Sequence, residues 1–186
     1  MAVRPFGRDA ARLVLVVVVA QTGFAEEPND MDMLASLKKT SLFRDFPDEE
    51  LTKLAACAEE YNLAPGSTLF NEGDKAEEFF VLVMGTVKVL KKNREGNQEE
   101  VAVLGTGSYF GEVEYVSEQE ERVASIQAQE PSHIVGLRHA AVRKLVNEDR
   151  SLGFHLYRAM ARGLASRLGK TTKDTAYFKA IALRHE

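Results

Sequence analysis

The strongest constraint on this chain is a change of period near residue 59. From there to residue 137, short apolar runs alternate with polar residues or stay briefly continuous, and turn residues cut each one off. Residues 60–64 end at Pro65-Gly66, residues 68–70 at Asn71-Glu72-Gly73-Asp74, and residues 79–84 at Gly85. Residues 86–90 alternate cleanly into 91–97, which reads as a hairpin loop, and residues 100–104 alternate again up to Gly105-Thr106-Gly107. Residues 123–128 and 132–137 add two further runs. About eight short strands with glycine-rich turns predict an eight-stranded jelly-roll β-barrel.

Helical patterns flank this region on both sides. Met31, Met33, Leu34 and Leu37 stand at helical spacing, followed by Leu42, Phe43 and Phe46. Pro47 with Asp48, Glu49 and Glu50 is a helix start, because proline fixes φ in the first turn and acids suit the positive end of the helix dipole. This helix is expected to carry Leu51, Leu54, Ala55 and Ala58, with Cys57 as a small buried residue rather than a reactive thiol. Beyond the barrel, residues 140–146 form a short helix, and a longer one starts at Ser151. Its Leu152, Leu156, Met160, Leu164 and Leu168 recur every four residues as one stripe. Arg158, Arg162, Arg167 and Lys170 lie off the stripe and read as a solvated face. Residues 173–186 either add a short helix through Tyr177 and Ile181 or fray. The fold class is therefore α+β and mainly β. Helical residues 26–58 precede the barrel at 59–138, and C-terminal helices follow at 139–186.

Residues 1–25 are a separate object. Arg4, Arg8 and Arg12 precede the unbroken apolar run 13–20, and Gly23-Phe24-Ala25 ends the segment before Glu26-Glu27-Pro28. That is the layout of a signal peptide cleaved after Ala25. The apolar run is far short of the roughly 20 residues that span a bilayer, so no stable span is expected after cleavage. Export, as to a periplasm, is the expectation. The alternatives are a buried strand, or a misplaced start codon before a cytoplasmic protein.

Several function classes fall away. One cysteine in 186 residues excludes a disulfide scaffold. A formal net charge of -4 gives no overall basic footprint, and no recognition-helix pattern follows the long helix, so no nucleic-acid partner is expected. The histidines form no H-x-H or H-x-x-x-H pair, which removes metal chemistry of the kind found on similar barrels. No nucleophile–base pair is evident either, and the chain is not read as an enzyme.

The stretch that carries chemistry is 104–113 with Arg122. Gly111 permits a tight backbone and the close approach of a ligand. Glu112 can accept from a sugar hydroxyl, and Arg122 is a rigid cationic fork for a phosphate. A short helical turn after Gly111 would aim backbone N–H groups at the same anion. A carboxylate for ribose and a guanidinium for phosphate within one segment suit a nucleotide pocket.

This arrangement resembles the cyclic nucleotide-binding domain, the module of catabolite activator proteins, the regulatory subunit of cAMP-dependent protein kinase and nucleotide-gated channels. The resemblance runs from about Leu37 to Leu168. It includes Leu42-Phe43, Pro65-Gly66, Asn71-Glu72-Gly73-Asp74, Met84-Gly85-Thr86-Val87, Phe110-Gly111-Glu112 and Arg122-x-Ala124-Ser125. It implies that Glu112 bonds the ribose 2′-hydroxyl and Arg122 the cyclic phosphate of cAMP or cGMP. The ligand-binding set would be Gly111, Glu112, Val113, Glu114, Arg122 and Val123. The helix at 151–170 would serve as lid and candidate homodimer seam, with an unknown protein partner downstream.

The chain departs from the family pattern at four points. Glu114 stands where a small residue is usual, and Glu121 where proline is usual. The segment between Glu112 and Arg122 is one residue longer, and Val123 replaces a Ser, Thr or Ala. Two like charges about 6 Å apart repel by roughly 3 kcal/mol at an effective dielectric near 20. Glu114 therefore opposes a phosphate, whereas residues 118–121 are expected on an exposed, screened loop. Two functions stay open. One is a stand-alone regulatory module that binds cyclic nucleotide and signals through its C-terminal helix. The other is a non-binding interaction or structural domain of the same fold with a degenerate phosphate pocket.

Overall fold

The structure, a computed structural model, describes the backbone of residues 30–182 and the side chains of residues 33–173. The leader expected at residues 1–25 lies outside the described residues. Helices α1 (Asp30–Lys38) and α2 (Asp48–Ala55) come first. Strands β1 (Ala58–Leu63), β2 (Thr68–Phe70), β3 (Glu78–Met84), β4 (Thr86–Lys92), β5 (Gln98–Gly105) and β6 (Tyr109–Phe110) follow. Helix α3 (Glu112–Ser117) precedes β7 (Ser125–Ala128) and β8 (Ser132–Arg138), and helices α4 (His139–Glu148) and α5 (Arg150–Ala182) complete the order.

The eight strands form the expected jelly roll as two packed antiparallel sheets rather than a closed cylinder. The sheet orders are β1-β8-β3-β6 and β2-β7-β4-β5. The alternation within β3 shows how the layers stack. Phe80 and Leu82 point between the sheets, where they meet Val87, Phe110, Ile126 and Ile134. Phe79 and Val81 point the other way, into a cluster with Leu51 and Leu54 of α2, Val142 of α4, and Leu152, Leu156 and Met160 of α5. One sheet is thus sandwiched between the second sheet and the helices, so its central strand is apolar on both faces.

Four expectations need correction. Ala58 opens β1 instead of continuing α2, and Cys57 lies half-buried in the turn between them, its thiol 3.2 Å from the Leu54 carbonyl. The run at 123–128 is a strand only from Ser125, because the preceding backbone bonds to a loop and a side chain rather than to a neighbouring strand. β6 escaped notice because two residues show no period. Finally, no break separates residues 173–182 from the long helix, and α5 is one helix of 33 residues.

The stripe on α5 is also shorter than its spacing suggested. A four-residue step overshoots one turn by about 40°, so the stripe rotates about 160° between Leu152 and Leu168. Leu152, Leu156 and Met160 are fully buried, whereas Leu168 is 69% exposed. No helix among the described residues is long and apolar enough to cross a membrane.

Candidate functional site

Arg122 is positioned by its backbone. Its N–H donates to the Asp74 carbonyl at 2.8 Å, and its carbonyl accepts from Gly73 N–H at 2.9 Å. Ala76 N–H reaches the Glu120 carbonyl at 2.7 Å, and the Asp74 carboxylate accepts from Asn71 N–H at 2.7 Å. The Asn71-Glu72-Gly73-Asp74 turn is therefore a clamp for the segment that carries the arginine. The Arg122 side chain then passes inward, with its guanidinium 4.1 Å from the Phe70 ring centroid and 5.2 Å from that of Phe80. Such stacking favours the cation by about 0.5–2 kcal/mol.

Gly111 leaves room for this path. It caps α3 at φ 74, and a Cβ there would stand 2.9 Å from Arg122 Nη1 and 3.3 Å from the Glu78 carbonyl oxygen. Only glycine meets both demands without strain. Arg122 is 4% exposed, yet its Nε and Nη1 have no hydrogen-bond partner among the described residues. Burial pulls its pKa below the ordinary range, and Glu114, Glu78 and Asp74 oppose that pull. A guanidinium starts so high that the group stays charged.

Glu114 lies inside the site, as its position in the sequence implied. It is buried, and its Oε1 accepts from Val123 N–H at 3.1 Å while Oε2 has no partner among the described residues. Val113 and Val123 are partly exposed at the rim, and residues 118–121 are solvent-facing as expected.

Glu112 is held from α5. It does not pair with Arg122. One carboxylate oxygen binds Arg167 of α5, whose other terminal nitrogen donates to the Tyr109 carbonyl. The remaining oxygen, Oε2, is buried without a partner among the described residues. Burial pushes the Glu112 carboxyl above its usual range, and the Arg167 charge holds it down. Arg167 thus reaches the site from the exposed side of α5, with its side chain 41% exposed. Its sequence signal was its place seven residues after Met160, on the same side of the helix. No metal-binding group of His, Cys, Asp and Glu occurs among the described residues.

A buried, partly unpaired guanidinium, a glycine turn and a carboxylate thus lie together. The sequence model of the cyclic nucleotide-binding domain matches residues 60–149, and the chain belongs to that family. The chain is 34% identical over 98 residues to the cAMP-activated global transcriptional regulator CRP of Pasteurella multocida, which is 53% of this chain and 47% of that protein. It is 34% identical over 95 residues to human cGMP-dependent protein kinase 2, which is 50% of this chain and 12% of the kinase. The chain thus covers less than half the length of either relative. Among solved structures, the N-terminal domain of a transcriptional regulator from Streptomyces coelicolor A3(2) superposes with a TM-score of 0.61 at 30% identity. That match covers 71% of this chain and 94% of the other.

Proposed function

We propose that this chain is a regulatory module that takes up cAMP or cGMP between α3 and the Arg122 segment and reports occupancy through α5. One observation carries the proposal: Arg122 is buried and stacked, with two N–H-bearing nitrogens that have no partner among the described residues. Leaving such donors unpaired in the interior is costly, and a phosphate would satisfy them with charge-assisted bonds. The unpaired Glu112 oxygen is available to a ribose hydroxyl, and Val113 and Val123 offer apolar edges. One relative is a cAMP-activated regulator and another a cGMP-dependent kinase, and the pocket walls do not choose between the two nucleotides.

The test is calorimetric titration of the full chain with cAMP and with cGMP. Arg122→Ala should weaken binding by at least ~2 kcal/mol, about thirtyfold, the scale of a lost charged contact. An unchanged affinity would put the phosphate elsewhere.

A second reading rests on Glu114. Its carboxylate already accepts Val123 N–H and is the chief carboxylate sustaining the Arg122 charge, so it serves as a built-in counter-ion. In that case neither nucleotide produces heat with the native chain. The module then acts through a protein partner.

A further inference from the structure

A cavity separate from the pocket around Arg122 opens on α5. It has a volume of about 540 Å³ and lies between the 41–46 segment, β6 and the face of α5 that carries Arg158, Arg162 and Arg167. Small-molecule sites commonly fall between about 300 and 1,000 Å³.

Its wall has two kinds of chemistry. Leu42, Phe46, Leu104 and Ala159 supply apolar surface. The three arginines supply positive charge against one lining carboxylate, Asp45, because lining His155 is already held by Glu50 at 2.8 Å. Among the described residues, Arg158 and Arg162 have no ion-pair partner, and one turn of helix separates them.

An independent observation lies in the same wall. Tyr109 is 4% exposed, and its hydroxyl has no hydrogen-bond partner among the described residues. The hydroxyl abuts Gly163, which also lines the cavity, and any Cβ at that glycine would overlap it. A buried phenol normally finds a partner, and this one has none among the described residues.

We propose that this cavity is a second ligand site, distinct from the cyclic-nucleotide pocket, for an amphiphilic organic anion: an apolar body bearing one phosphate, sulfonate or carboxylate. The head group meets Arg158 and Arg162, the body lies on Leu42, Phe46 and Leu104, and the Tyr109 hydroxyl bonds a polar atom of the ligand. Arg167 lines the cavity while its guanidinium holds Glu112, so the two sites share one residue.

The probe is 8-anilinonaphthalene-1-sulfonate, titrated by fluorescence into the full chain. One saturable site is expected, displaced by octyl phosphate below its micelle concentration but not by octanol. Arg158→Gln with Arg162→Gln should weaken it at least tenfold, and Arg122→Ala should leave it within twofold. Tyr109→Phe should weaken it at least threefold while the thermal midpoint holds or rises, since the hydroxyl has no partner to lose in the free protein. The proposal is overturned by the absence of a saturable site or by equal displacement with octanol. Insensitivity to the arginine pair, loss of the probe on Arg122→Ala, or a fall in thermal midpoint on Tyr109→Phe would each overturn it as well.

Discussion

Glu114 sets the balance at the level of single residues, because it stabilises Arg122 in the free protein and opposes any phosphate that arrives. Glu114→Gln keeps an acceptor for Val123 N–H and removes the charge. Repulsion of roughly 3 kcal/mol at about 6 Å predicts that cyclic-nucleotide affinity rises at least about tenfold. The thermal midpoint of the free protein should fall, because a buried guanidinium loses its chief counter-charge. Calorimetry and differential scanning fluorimetry read the two effects, and an unchanged affinity would remove Glu114 from the phosphate's surroundings. His139 gives a second test. It packs against Phe79 and Tyr115, and burial together with the Arg122 and Arg143 charges pushes its pKa down from 6.5 to about 4. The unfolded chain therefore binds a proton between pH 6.5 and 4 that the folded chain refuses. The contribution is fully present above pH 6.5 and is lost as pH falls toward 4, by up to roughly 3 kcal/mol. In urea unfolding, the native chain should lose stability relative to His139→Gln as pH falls across that range. Gly111, Glu112 and Arg122 stood out in the sequence by residue type, and Glu114 by its departure from the family pattern. Arg167 was not, since a lone arginine on a helix resembles any solvated one until the packed face is known.

Among the elements, α5 matters most to the site, and three ties hold it. At its root, Ser151 donates to buried Glu50 at 3.0 Å, and His155 contacts the same carboxylate. Further along, Tyr157 stacks on Tyr115 of α3 at 6.0 Å between ring centroids. Arg167 then grips Glu112. The last tie joins the helix to the proposed ribose acceptor, so occupancy of the pocket and seating of the helix are linked. Arg167→Ala should raise amide exchange across residues 161–172 about tenfold and leave residues 152–160 unchanged, because core contacts hold only the earlier segment. Uniform exchange along the helix would show that Arg167 does not seat it. The helix itself was legible from its apolar spacing, but its length was not. The Thr171-Thr172-Lys173 stretch weakens the apolar pattern without breaking the helix, since it contains neither Gly nor Pro.

In the whole molecule, the layer order explains what was plain and what was hidden. Seven of the eight strands were visible because each is a bounded apolar or alternating run, whereas β6, two residues long, was not. That the strands form two sheets, one of them covered by helices, depends on contacts between distant residues that no local pattern records. The helical layer leaves apolar side chains outside: Phe154, Tyr157 and Leu168 are 61%, 44% and 69% exposed. Phe154 and Leu168 are two heptads apart and lie on one side of α5. If α5 is a homodimer seam, sedimentation equilibrium should find a dimer, and Phe154→Glu with Leu168→Glu should give a monomer that keeps its thermal midpoint. A native monomer would assign that face to another partner.

The length of α5 has a mechanical consequence. Among the described residues Met160 is its last fully buried one, and the helix rises about 33 Å from there to Ala182. With Arg167 seated on Glu112, the helix extends about 22 Å beyond the tie; once that tie opens, the fulcrum retreats to Met160 and the arm grows by half. A tilt of about 5° at the fulcrum then sweeps the tip of the longer arm, about 33 Å out, through roughly 3 Å, enough to make or break a docking contact. Under the proposed function, the Glu112 carboxylate thereby sets the leverage with which occupancy of the pocket reaches the far end of α5.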